Sequence, residues 1–386
     1  MTMYDVAVIG GGPAGNKAAS LLSREYDVVV IEEHEVPGRP MQCTGLVSDE
    51  VIRLSGVKPT VLNELYGANV FFPNGKSIEI RAKERKAVLI DRAELDEMIA
   101  HKASDEGAEH RYLTKYASHS VSDGTVRTET DNGTIESLLI AGADGHNSKV
   151  ARTIPGNDAT EYVKGIQVDI KHRSGDEDML NIRIGSAAPG FFSWEIPFGG
   201  LTRVGLCVSE NAGPPSGYLN TLLRTIGLSG CEVISKHSGR IPLGHRRRTY
   251  APHLMLIGDA ACHVKPISGV GLQPAFRASY ALAETAKEAL NEHDFSENFL
   301  SVYEKRWKKD VGTELRRGYR LRKMYTSMSD AELNCVYEAA KDERITGMLS
   351  EGSIDHPSDL LFGMMMHPVT MLRLAPLMMK AMIRSA

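Results

Sequence analysis

The segment Gly10-Gly11-Gly12-Pro13-Ala14-Gly15 places small residues where a chain would have to wrap a diphosphate. It follows the β-branched run Asp5-Val-Ala-Val-Ile9 and opens a helical stretch from Asn16 to Ser23. Gly10 permits a tight turn, Gly12 lets backbone approach a pyrophosphate, and Gly15 lets helix and strand pack closely, with Ala14 in the same loop. The positive end of the helix favours the phosphate charge. Glu32 stands at the end of the next apolar strand, where an acidic residue accepts hydrogen bonds from the ribose hydroxyls of a dinucleotide. Two more carboxylates sit just past apolar runs, where they can reach ligand hydroxyls. One is Asp144 in Gly142-Ala-Asp144-Gly145-His-Asn-Ser148, the other Asp259 in Gly258-Asp259-Ala-Ala261. A turn or helix-cap role is the alternative for Asp144. The stretch His263-Val-Lys265-Pro266-Ile-Ser-Gly269-Val-Gly271-Leu272 is a glycine loop entering a helix, whose amides and dipole can hold negative charge without a titrating residue.

Positioning these groups requires an α/β fold. The strand, glycine turn, helix and the strand at 28–31 make a βαβ unit, hence a parallel sheet with a right-handed crossover. Short strands around a Pro73-Asn74-Gly75 turn occupy 60–89, a helix covers 92–104, a second strand-rich region covers 165–208, and most of the chain beyond 273 is helical. The expected architecture is a discontinuous Rossmann-like cofactor domain (1–60, 90–155 and 240–290). An antiparallel β-sheet domain (61–89 and 156–239) is inserted in it, and a helical C-terminal region (291–386) follows. The junction of the two sheets is then the expected cleft.

The chain has 386 residues, enough for two domains, and its formal net charge of -4 excludes a strongly basic nucleic-acid binder. Cys43, Cys207, Cys231, Cys262 and Cys335 form no CxxC pair, so neither a metal site nor a disulfide framework is expected, and the compartment reads as reducing cytoplasm. No basic region precedes an apolar stretch at the N-terminus, and no apolar run reaches the ~18 residues that span a bilayer.

In order and spacing, the three motifs at 10–15, 142–148 and 258–261 resemble the FAD-binding family that includes para-hydroxybenzoate hydroxylase, over most of residues 1–290. That resemblance implies FAD as cofactor, with Asp259 on the ribityl chain and Asp144 organising the site. It also implies that Arg92, in Asp91-Arg92-Ala-Glu-Leu95, helps hold the phosphates or the ribityl. Two further segments resemble the geranylgeranyl reductases, archaeal enzymes that saturate isoprenoid chains of membrane lipids. Pro40-Met-Gln-Cys43-Thr44-Gly45-Leu-Val-Ser48 is similar to their flavin-side cysteine segment, and Phe192-Ser-Trp194-Glu-Ile196-Pro197 to their Tyr-x-Trp-x-Phe-Pro motif. Phe192, Ile196 and Val270 depart from the family pattern.

The resemblance implies FAD-dependent reduction of carbon-carbon double bonds in geranylgeranyl chains of isoprenoid glycerophospholipids. Cys43, Thr44, Gly45, Gly269, Gly271 and Leu272 would then lie at the flavin, and Phe192 and Trp194 would wall an apolar pocket that aligns the alkene. Cys43 is either a proton donor or tuner of the flavin, or simply a small buried residue. The hexapeptide also resembles the Trp-x-Trp-x-Ile-Pro signature of flavin-dependent halogenases, and aromatic hydroxylases share the cofactor domain. With no second GxGxxG, electrons must come from a visiting donor: ferredoxin, another reduced carrier or NAD(P)H. His245-Arg246-Arg247-Arg248 reads as a solvated basic turn or a lipid-phosphate contact.

Thr370, Arg373, Lys380 and Arg384 fall on one stripe of a Met- and Leu-rich C-terminal helix that Pro368 and Pro376 should break into pieces. Two readings of 360–386 stay open: peripheral contact with the inner face of the membrane, or a roof packed over the lipid tunnel.

Overall fold

The computed structural model describes residues 3–41, 43–159 and 161–385. Its first sheet has the spatial order Tyr250–Ala251, Leu254–Leu256, Gly133–Gly142, Met3–Ile9, Val28–Ile31 and Glu109–Arg111, with Thr125–Thr130 and Tyr116–Ser122 added beside Gly133–Gly142. Met3–Ile9 pairs in parallel with both its neighbours, as the βαβ reading requires. Successive residues of these strands enter opposite cores. Val6, Val8, Val28 and Val30 pack against Ala18, Leu22 and Leu282 on one face, while Ala7, Ile9, Val29 and Ile31 pack against Ile140 and Val150 on the other. Burial on both faces explains why these strands read as continuous apolar runs.

The second sheet has seven strands in the order Val233–Pro242, Tyr162–Ile170, Leu201–Ser209, Phe192–Phe198, Met179–Ile184, Gly67–Phe71 and Ser77–Arg81. The expectation of an antiparallel insert holds except at one pairing: Met179–Ile184 and Gly67–Phe71 run parallel. Segments from two distant stretches of chain meet there, so no hairpin dictates their relative direction. A third, three-stranded sheet of Leu46–Val47, Ala87–Ile90 and Val61–Leu65 shares no strand pairing with the seven-stranded one, so 61–65 and 87–89 leave the expected insert sheet, and its Leu65, Ala87 and Leu89 pack against Ile196. Paired residues on neighbouring strands of the seven-stranded sheet share a face. Gln167, Gly205, Trp194, Ile182 and Val70 form one such row, and Asp169, Arg203, Ile196, Leu180 and Ala68 the next.

Beyond residue 290 the chain is helical, ending in Pro357–Met366 and Pro368–Ser385. Pro368 separates these two helices, but Pro376 lies inside the last one and does not break it, contrary to the sequence expectation. Its buried residues Thr370, Leu374 and Ala381 recur at helical spacing and hold the helix to the body on both sides of the proline. Among the described residues no helix is long and apolar enough to cross a membrane.

Candidate active site

One cavity of about 990 Å³ is bounded by the ends of the parallel strands and by one face of the seven-stranded sheet. At its phosphate-like end, Gly10 has φ +105°, and a β-carbon there would come 2.4 Å from the Ala143 carbonyl oxygen. A β-carbon on Gly15 would approach the Gly10 carbonyl to 2.0 Å, whereas one on Gly12 would meet nothing within 4 Å, because Gly12 borders the open cavity. Helix Pro13–Leu22 starts here with Gly12 as its cap, no side-chain cap and no acidic residue in its first turn. Its free amides and positive end therefore lack a protein anion, which fits a pyrophosphate. Ala14 also lines the cavity. Glu32 faces it with one oxygen accepting from the Gly11 amide at 2.6 Å and the other from the His34 amide at 2.9 Å.

Arg92, at the start of helix Arg92–Asp105, is buried and forks onto Asp96 one turn on, at 2.9 Å to each carboxylate oxygen. Burial opposes its charge, but Asp96 and the nearby Cys43 leave its pKa raised and the guanidinium cationic. Asp259 lines the cavity, and among the described residues no donor bonds its carboxylate. Burial pushes its pKa up to about 6 against the pull of Arg92. An acceptor left open toward a cavity suits the hydroxyls of a sugar-like chain. Asp144 lines the same cavity but spends its oxygens locally, accepting from the Lys149 amide at 2.7 Å and the Val150 amide at 3.1 Å, and from the Ser148 hydroxyl. These are helix-cap contacts, the alternative weighed for it, and burial still raises its pKa.

Cys43 and Thr44 line the cavity next to these groups; Gln42 lies outside the described residues. Gly45 does not line it: it has φ +82° and is pressed against Ile90, whose carbonyl would be 2.6 Å from an added β-carbon. Gly15 is likewise a packing residue beneath the cavity wall rather than part of it. Phe192 and Trp194 point into the cavity from strand Phe192–Phe198, their rings meeting edge to face at 6.2 Å, with Phe191 stacked on Phe192 at 4.3 Å. The Trp194 indole lies over Gly205, where an added β-carbon would be 2.5 Å from a ring carbon. Beyond it the apolar wall continues through Ile182, Val70, Leu180 and Ile80.

The glycine loop closes on itself through Lys265 N–H to the Val270 carbonyl at 3.0 Å and Gly269 N–H to the Lys265 carbonyl at 2.9 Å. Gly269, Gly271 and Leu272 line the cavity, and Gly271 caps helix Leu272–Glu292. The loop is not free of titrating groups. Lys265 is fully buried and ion-paired at 3.0 Å with Asp355 from the C-terminal region, burial lowering its pKa. His263 is buried against Trp307 with its pKa pushed down to about 3. The basic run is not a solvated turn throughout: Arg246 is buried and donates to the Ala260 carbonyl at 2.9 Å and the Asn157 carbonyl at 2.6 Å, while Arg248 pairs with Glu297.

Sequence motifs missed Gln167, which lines the cavity, and Asp169, Arg203 and Gly205, which support the Thr44 carbonyl and the Trp194 ring behind it. A signal was present: in strand Tyr162–Ile170 the polar residues Gln167 and Asp169 alternate with the buried Ile166, Val168 and Ile170, so one face of a buried strand is polar.

The family described as FAD binding domain matches residues 3–208. A protein named digeranylgeranylglycerophospholipid reductase 2, from Methanopyrus kandleri, is 29% identical over 89% of this chain and 91% of its own. The solved structure of a geranylgeranyl bacteriochlorophyll reductase-like protein from Thermoplasma acidophilum superposes with a TM-score of 0.85 at 23% identity, covering 98% of this chain and all of that one. A p-nitrophenol 4-monooxygenase from Pseudomonas putida superposes at 0.71 with 17% identity, over 93% of this chain and 98% of its own. A fold shared by a monooxygenase and a reductase-like protein does not choose between their reactions.

Proposed function

We propose a function from the premise that the chain belongs to the FAD binding domain family: this FAD-dependent oxidoreductase reduces carbon-carbon double bonds in geranylgeranyl chains of isoprenoid glycerophospholipids. The observation that carries this reading is the apolar wall of Phe192, Trp194, Ile182 and Val70, continuous with the cavity that holds the glycine loop, Arg92 and Asp259. An isolated alkene has no carbonyl to polarise, so what the protein must supply is alignment and the exclusion of water. The named relative, which spans about nine-tenths of the chain, supports the same substrate class.

FAD, once reduced, supplies the hydride. Gly12 and the first turn of helix Pro13–Leu22 would hold its pyrophosphate, Glu32 a ribose, and Asp259 and Arg92 the ribityl or phosphates. The loop ending at Leu272 would meet the flavin ring. Cys43 lies on the substrate side and holds the proton for the second alkene carbon, or sets its delivery. Electrons reach the site from a visiting carrier, either ferredoxin-like or a nicotinamide.

Peripheral membrane contact through 360–386 belongs to the same reading, with altered geometry. Arg373 donates to the Glu338 carbonyl, and Lys380 and Arg384 pair with Glu332, so the cationic stripe carries protein partners while the Lys380 and Arg384 side chains stay 58% and 42% exposed. The outward face carries Met371, Met379, Met382 and Ile383, the last 76% exposed. Such a face suits acyl chains rather than lipid phosphates.

The deciding experiment incubates the FAD-loaded protein, reduced with dithionite in the absence of oxygen, with a geranylgeranyl glycerophospholipid. Mass gains in steps of two hydrogens are expected. Their absence, together with oxygenated or chlorinated products from aromatic substrates in air, would overturn the reading in favour of a hydroxylase or halogenase.

A further inference from the structure

The turn at Cys43, Thr44 and Gly45 is held at three consecutive carbonyl oxygens by three different elements. Gln167 Nε2 donates to the Cys43 carbonyl at 3.2 Å, an Arg203 guanidinium nitrogen donates to the Thr44 carbonyl, and the Ile90 amide donates to the Gly45 carbonyl at 2.9 Å. Gln167 makes a second contact, its Oε1 accepting from the Thr44 hydroxyl at 3.1 Å. Arg203 is itself locked, forking onto Asp169 at 2.7 and 2.9 Å, and Asp169 also accepts from Ser235 at 2.9 Å. The Arg92 guanidinium, held by its fork onto Asp96, lines the same cavity as Cys43.

Gln167 differs from the other two holders in what else it touches. It lines the cavity at 5% exposure, and its β-carbon and the Trp194 indole lie over the same glycine, at 2.7 and 2.5 Å from where a β-carbon on Gly205 would stand. One side chain therefore spans from the aromatic wall to the peptide that carries the thiol. Hydrogen bonds at both ends of a primary amide leave it no rotational freedom, and its stem is packed against the strand below.

We propose that Gln167 is a positioning residue that sets where the Cys43 thiol stands relative to Arg92 and to the Trp194 wall. The inference rests on the reductase reading only for its consequence in turnover, not for the clamp itself. Gln167→Leu shortens the side chain by one atom and removes both bonds. The Cys43 carbonyl and the Thr44 hydroxyl then lose the partner that holds this part of the turn in the cavity wall.

The test is peptide-resolved alkylation of the FAD-loaded protein by iodoacetamide across pH 6–10. In Gln167→Leu the rate at Cys43 should change by about fivefold or more at each pH, the factor expected from losing two hydrogen bonds worth ~0.5–1.5 kcal/mol each. Buried Cys262 and exposed Cys335 are internal controls and should keep their parent rates. A purely structural role would instead speed Cys262 as Cys43 changes, and would overturn the inference. So would a Cys43 rate within about twofold of the parent. If Gln167→Leu loses FAD, Gln167→Glu, which retains the acceptor for Thr44 but not the donor to Cys43, is judged by the same criteria. Changed alkylation with unchanged alkene reduction would keep the clamp and remove Cys43 from the reaction, so the two readings fail separately.

Discussion

At the scale of single residues, the site works by placing groups where burial changes their chemistry. Asp259 has no donor among the described residues, and burial lifts its pKa from 3.8 to about 6 in the cofactor-free protein. An acid raised in the fold stabilises it only while protonated. The contribution is full below about pH 4 and is lost as pH rises through about 6. Asp259→Asn should therefore stabilise the cofactor-free protein at pH 8 by roughly 1 to 3 kcal/mol, about two units at ~1.4 kcal/mol each, with the gain vanishing below about pH 4. Under the proposed role of Asp259 at the ribityl chain, the same variant should also bind FAD more weakly. Melting temperatures of parent and variant across pH 4–8 decide it; a difference that does not vary with pH would mean the carboxylate is not held in a dry environment. Asp144, by contrast, is committed to the amides of Lys149 and Val150. Two carboxylates that look alike in sequence, each after an apolar strand, thus have different tasks, and only their hydrogen-bond partners separate them.

At the scale of elements, the seven-stranded sheet brings together residues distant in sequence. Its row through Gln167, Gly205 and Trp194 works because the middle position has no side chain: the indole and the Gln167 stem share the space above Gly205. Gly205→Ala would put a methyl group 2.5 to 2.6 Å from two indole carbons, so the ring must move. Overpacking of this kind costs about 1–3 kcal/mol. It should also impair alkene reduction several-fold while leaving dithionite reduction of the bound flavin nearly intact, since only the former needs the aromatic wall. Equal loss in both, measured anaerobically on the same preparation, would make Trp194 a core residue and nothing more. The loop from His263 to Leu272 gives the complementary case. Its glycines were legible as a turn before a helix, but the buried Lys265 to Asp355 pair joins it to a segment ninety residues away. A lysine in a glycine loop carries no sign of such a partner.

At the scale of the whole molecule, the C-terminal helices close the body and turn an apolar face outward. Met379, Met382 and Ile383 are 66%, 57% and 76% exposed, while Lys380 and Arg384 of the same helix pair with Glu332. Replacing all three by Glu should leave the melting temperature within about a degree or two, as exposed changes do. It should also lower the fraction that sediments with phospholipid vesicles by about tenfold, since each apolar contact with the acyl boundary is lost. A parent chain that stays in the supernatant would end the membrane reading. What the sequence by itself determined is what depends on neighbours along the chain: the βαβ unit, the glycine turn with Glu32 beyond it, the α/β class, and through motif resemblance the FAD cofactor. Period-two and period-3.6 patterns and obligatory glycines are local, so they survive reading in one dimension. Tertiary structure alone decided what depends on register and packing. This includes the parallel pairing of Met179–Ile184 with Gly67–Phe71, the uninterrupted helix through Pro376, the pairing of Lys380 and Arg384 with Glu332, and the three donors on the Cys43 turn. Each of these is set by which surfaces meet when distant segments bury their apolar faces together, and no spacing along the chain encodes that meeting.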